Sequence, residues 1–185
     1  YMSANTYIAL LRGINVSGSN KIKMAELTQL FFDLGYKDVS TYIQSGNVIF
    51  KSNIKEPILI EDTIITAISR HFGYAIKVLV LTKNELTTIF NSNPFLAKDP
   101  TLDISKLYVT ILNTKPDLAI IPPIEILIET NDDEFQLIEN TIYLYCPNGY
   151  GKTKLNNNLF EKKLKVSATT RNWNTISKLE ELSNL

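Results

Sequence analysis

The spacing of apolar residues changes along this chain in a fixed order that occurs twice, and no other feature constrains the fold as tightly. Residues 6–11 (TYIALL) read as a buried strand. Met24, Leu27, Leu30, Phe31 and Leu34 then recur at helical spacing, and Gly35 is a natural stop. VSTYI (39–43) and NVIFK (47–51) are strands joined by a tight Gln44-Ser45-Gly46 turn. Pro57 opens a second helix with Ile60, Ile64, Ala67 and Ile68 inward and Gly73 after it, and AIKVLVL (75–81) is a strand again. Thr82 and Glu85 form a capping-box pattern ahead of Leu86, Ile89 and Phe90, and Asn91–Pro100 reads as a connector whose prolines and polar residues continue no element.

The order then recurs. KLYVTIL (106–112) is a strand, 114–130 a helical stretch interrupted by Pro122-Pro123, and EFQLI (134–138) with TIYLY (141–145) a second hairpin. Leu155, Leu159 and Leu164 mark a helix, VSAT (166–169) a short strand, and Trp173, Ile176 and Leu179 a terminal helix. Strand-helix-strand-strand-helix-strand is the ferredoxin-like unit, or α-β plait. The expectation is an α+β chain of two such units in tandem, each an antiparallel sheet covered by helices, with a C-terminal helix in addition. The units span 3–90 and 104–185, joined by 91–103.

Composition removes several classes of function. With 44% hydrophobic residues the chain buries a real core, and its formal net charge of zero argues against a bulk electrostatic partner such as long nucleic acid. The charge is uneven: residues 98–140 carry three lysines against nine acids, and residues 151–178 seven bases against Glu161. Cys146 is the only cysteine, so no intrachain disulfide and no cysteine metal cluster can form. His71 is the only histidine, which removes His-rich metal sites and leaves little room for a Ser-His-Asp arrangement. No metal or cofactor is expected. No stretch has the length of a membrane span or the layout of a signal peptide, so the expectation is a cytoplasmic protein with no membrane partner.

Four polar motifs punctuate the elements: LLRGINVSGSNKIKMAEL, YIQSGNVIF, PNGYGKTKL and TTRNWNTISKL. In that order they resemble the bacterial family called domain of unknown function 1697, from about Tyr7 to Leu182. The resemblance implies two ferredoxin-like subdomains and no established enzyme activity. Ser17 stands where a glycine is usual in that family, and Thr153 where serine is common.

Topology gathers the motifs into two patches. The right-handed first crossover makes strands one and two parallel, with strand three between them. The loop after strand one and the following hairpin turn then share a sheet edge, so Arg12, Asn15 and Lys21 belong near Gln44, Ser45 and Asn47. By the same rule Asn148, Gly149, Gly151, Lys152, Thr153 and Lys154 belong beside Arg171, Asn172 and Asn174. In the second patch Gly149 and Gly151 allow close backbone approach, Gly151 is expected at positive φ, and Thr153 is expected to cap the following helix. Lys152, Lys154 and Arg171 add charge for an anion. This is no P-loop, because Cys146 stands where the first glycine is required.

The chemistry points first to a binding protein for a small anionic ligand, phosphorylated or nucleotide-like. An RNA-binding module is the alternative, since RRM domains share the topology, although SGNVIFKS lacks the base-stacking aromatics. A third reading is an enzyme that stabilises an oxyanion with Arg12, Lys21, Lys154 or Arg171. The polar loops supply no Asp or Glu as a general base, and the balance leans away from catalysis.

Overall fold

The computed structural model describes residues 3–120 and 132–185, in two compact units. The first runs to Thr88 and includes the distant segment Leu179–Leu185; the second is Ile89–Lys178. Each has a four-stranded antiparallel sheet packed with helices.

In the first unit β1 (Asn5–Leu11), α1 (Met24–Asp33), β2 (Lys37–Tyr42), β3 (Asn47–Ser52), α2 (Pro57–Phe72) and β4 (Val78–Thr82) give the sheet order β2-β3-β1-β4. The central strand β1 is buried on both faces, which explains its unbroken apolar run. Tyr7, Ala9 and Leu11 join Val48, Phe50 and the inward faces of both helices, where Leu27, Phe31, Ile60, Ile64 and Ile68 lie. The helix signals in the sequence act as expected: Pro57 sits in the first turn of α2, and Gly73 ends it in the left-handed conformation at φ 76. α3 (Lys83–Asn91) starts with the expected capping box, Glu85 N–H donating to Thr82 Oγ1 at 3.1 Å and Thr82 N–H to Glu85 Oε2 at 2.9 Å.

In the second unit β5 (Leu107–Leu112), β6 (Glu134–Ile138), β7 (Thr141–Tyr145), α5 (Asn157–Leu164) and β8 (Ala168–Asn172) give the order β6-β7-β5-β8. The chain ends in α6 (Trp173–Ser183). Three details differ from the sequence expectation. The connector holds a short helix, α4 (Pro94–Lys98), because Asn93 Oδ1 accepts from Phe95 and Leu96 N–H and Pro94 suits a first turn. β8 begins two residues later than expected and carries Arg171 and Asn172 inside the strand. Of the expected helix over 114–130, the described part contains only a single 3₁₀ turn at Leu118–Ile120; 121–131 lie outside the described residues.

Candidate functional site

The loop between β1 and α1 is built from left-handed residues. Gly13, Asn15, Ser17, Gly18 and Asn20 all have φ between 48° and 76°. Asparagine tolerates this conformation because its short side chain hydrogen-bonds locally. Here that bonding is explicit. Asn15 Oδ1 accepts from Ile22 N–H, while Nδ2 donates to Ile22 O and to Gln44 O, all at 2.9 Å. Asn20 Nδ2 donates to Gly13 O at 3.0 Å, and Val16 and Ser19 bridge the tip. One asparagine thus closes the loop and fastens it to the β2–β3 turn.

The turn is fixed from its own side. Leu11 N–H donates to Gly46 O at 2.8 Å, so the chains run in contact there. Gly46 has φ 79, and a Cβ on it would lie 2.7 Å from Leu11 Cβ. Asn47 is fully buried and donates to Tyr42 O and Ser45 Oγ. The first loop therefore meets the turn through Asn15 and Gln44 and through Leu11 and Gly46, and Asn47 is spent on holding the turn.

What the loop leaves open is a cleft of about 440 Å³. Asn15, Gly18, Ile22 and Gln44 line it, and Lys21, Lys23 and Glu26 add charge. Lys21, Lys23 and Glu26 are exposed and make no ion pair among the described residues. Lys23 is also the N-cap of α1, and no side chain caps that helix, so its positive end opens beside the lysines. Arg12 is half-buried outside this lining, its main-chain N–H donating to Lys77 O at 3.0 Å. Lys23 and Glu26 escaped the sequence reading, which stopped at the loop. The signal was available, since a helix start aims its first turn at whatever precedes it.

In the second set, Asn172 pairs with Tyr108 on the face where Tyr150 packs, and Arg171 is on the opposite one. Gly149, not Gly151, has the positive φ, at 90°; it precedes a 3₁₀ turn, Tyr150–Lys152, and Gly151 has an ordinary φ. Thr153 is buried and its hydroxyl accepts from Leu155 N–H. The cap of α5 is instead Asn156, whose Oδ1 accepts from Leu159 N–H at 2.9 Å. Tyr150 packs on Tyr108 with ring centroids 4.9 Å apart, holding this loop on the sheet face that carries Tyr108, Leu144 and Cys146. Cys146 is fully buried in the core of this unit, and burial pushes its thiol up to about 11. Arg171 pairs with Val109, which also pairs with Tyr143, and strand alternation puts all three on the opposite face. Its guanidinium donates to Thr170 O at 3.1 Å, and burial lowers it to about 10. Asn172 Oδ1 caps α6 through Thr175 N–H at 2.8 Å. Asn148, Lys152, Lys154 and Asn174 are exposed. Arg171 therefore lies on the sheet face opposite the one that Tyr150 packs on.

Residues 4–143 match the family described as protein of unknown function (DUF1697). The chain belongs to the DUF1697 family. The solved structure of the conserved bacterial protein SP0830 from Streptococcus pneumoniae is similar to this DUF1697 chain, with a TM-score of 0.76 and 26% identity over 98% of this chain and 99% of that one. No curated protein matches. The DUF1697 match contains the first loop, the start of α1 and the 44–47 turn, but stops before PNGYGKTKL and TTRNWN. Among the described residues there is no cluster of metal-ligating side chains, and no helix long and apolar enough to cross a membrane.

Proposed function

We propose that this DUF1697 protein binds a small anionic ligand, phosphorylated or nucleotide-like, in the cleft between the first loop, the start of α1 and Gln44. The observation that carries this reading is a pair of lysines, Lys21 and Lys23, lining a concave site and making no ion pair among the described residues. The volume falls within the ~300–1,000 Å³ usual for small-molecule sites. Hydrogen bonds from a charged donor contribute about 1.5–3 kcal/mol each, against ~0.3–1 kcal/mol for an exposed helix start, so the lysines decide the affinity. Glu26, in the same lining, favours a ligand that also offers a hydroxyl or amino group. The Asn15 bonds hold the walls in place before binding, which lowers the ordering cost.

The test is titration calorimetry with inorganic phosphate, pyrophosphate and nucleoside monophosphates on wild type, Lys21→Gln and Lys23→Gln. Each substitution is expected to weaken binding about 10- to 150-fold at unchanged melting temperature. Affinity for single-stranded RNA that falls steeply with salt, with no small-anion binding, would point to the RNA-binding alternative.

A further inference from the structure

The outer face of α2 carries two charges that its own chain does not pair. Asp62, Thr66 and Arg70 follow one another at four-residue spacing, the row along which helix side chains line up. All three are exposed, and they line an open groove of about 350 Å³ together with Thr63, Ala67 and Leu34, the C-cap of α1. Asp62 and Arg70 stand about 12 Å apart along the helix axis, too far to pair with each other. Neither makes an ion pair among the described residues. The helix dipole does not account for Asp62, because the first turn of α2 holds no acid and the effect fades beyond that turn. The same helix also starts with exposed apolar surface, Ile58 at 60% and Leu59 at 52%.

This row is its own complement. It reads acid, hydroxyl, base, with Thr66 midway between the charges. A second copy of α2, laid antiparallel and related by a two-fold axis through Thr66, sets each Asp62 against the partner's Arg70 at the same height. The same axis sets Leu59, seven residues before Thr66, against the partner's Gly73, seven residues after it. Gly73 is exposed, and a Cβ on it would meet nothing within 4 Å, which leaves room there for a leucine. Thr63, Thr66 and Ser69 between the charges are small enough for the two axes to approach to about 8–10 Å. We propose that the outer face of α2 is a homodimer interface, packed antiparallel about Thr66 and closed by two Asp62–Arg70 ion pairs. Charge complementarity selects the occupant, since a copy of this helix answers both charges in one placement. The proposal is independent of the anion reading, because α2 contributes nothing to the lining of that cleft.

The experiment is sedimentation velocity on the full chain from about 1 to 200 µM, where wild type is expected to form a reversible dimer. Asp62→Arg and Arg70→Asp each set like charges against each other across the axis. Each is expected to weaken dimerisation more than about a hundredfold and to leave the circular-dichroism spectrum unchanged. An equimolar mixture of the two variants is expected to regain the dimer, since each then carries the charges that the other lacks. The double variant, Asp62→Arg with Arg70→Asp, is expected to regain it alone. Thr66→Glu places two carboxylates on the axis; it is expected to be monomeric and serves if a charge reversal folds poorly. A wild type that stays monomeric throughout this range would overturn the proposal. So would a dimer that survives both single reversals, which would have to use another surface. A mixture that remains monomeric would overturn the antiparallel register about Thr66.

Discussion

Gly46 and Gly151 both sit in polar motifs, yet only one of them is under conformational demand. Alanine at Gly46 combines φ 79 with a Cβ 2.7 Å from Leu11 Cβ and 3.0 Å from Leu11 O. The left-handed penalty of about 1–2 kcal/mol adds to an overpacking cost of similar size. Gly46→Ala is therefore expected to lower unfolding free energy by roughly 2–5 kcal/mol, read as a drop in the denaturant midpoint with an unchanged slope. Gly151→Ala meets nothing within 4 Å at an ordinary φ and is expected to stay within about 0.5 kcal/mol of wild type. A large loss at Gly151 would mean that the second loop is held in a different conformation. Glycine spacing in a motif such as NGYG cannot say which glycine bears the unusual angle, so the expectation for Gly151 belonged to Gly149. The role of Asn15 was equally hidden: its identity suggests a ligand contact, and only its three partners reveal a fastener.

α2 and β4 are joined by a contact that makes stability depend on pH. Glu61 Oε1 accepts from Val80 N–H at 2.9 Å. Burial raises its pKa above the ordinary carboxylate value of 4.5; the Val80 bond opposes the shift, and Asp62 and Glu85 reinforce it. A carboxyl with a raised folded pKa binds its proton more tightly in the folded state, so stability falls as pH rises from the ordinary value through the folded one. Glu61→Gln keeps an acceptor for Val80 and removes the desolvated charge. It is expected to stabilise the protein at pH 7 and to lose that advantage near pH 4, measured by urea melts across this range; a constant difference would contradict the assignment. At this scale most of the fold was legible. β1 and β3 announce themselves by apolar content, and α2 and α3 by their caps. α4 is hidden in the sequence because Asn93 and Pro94 end elements as readily as they start them. The last residues of β8 were missed because Thr170, Arg171 and Asn172 are polar, and their place comes from pairing with Tyr108, Val109 and Thr110.

The whole molecule departs from the two consecutive halves that the repeat suggests. Leu179–Leu185 belongs to the first unit, where Leu179 is fully buried and Glu180 accepts from Thr87 at 3.1 Å and pairs with Lys83 at 2.8 Å. No periodicity could reveal this, because the terminal stripe specifies a helix and not what the helix is to cover. Ending the chain at Lys178 removes a buried leucine and the carboxylate that neutralises Lys83, a loss of about 2–4 kcal/mol. Hydrogen exchange of the shortened chain is expected to show faster exchange in β1–β4 with β5–β8 largely unchanged; equal acceleration in both sheets would refute the division. The same arrangement sets an order of events during synthesis. The residues up to Thr88 emerge from the ribosome before the second unit, and the first unit cannot be completed until Leu179–Leu185 follow. At roughly 5–20 residues per second, translation of the intervening Ile89–Lys178 keeps it waiting on the order of 5–20 s. Throughout that interval Lys83 and Thr87 lack Glu180, and the first unit stays unfinished until Leu179–Leu185 have been made.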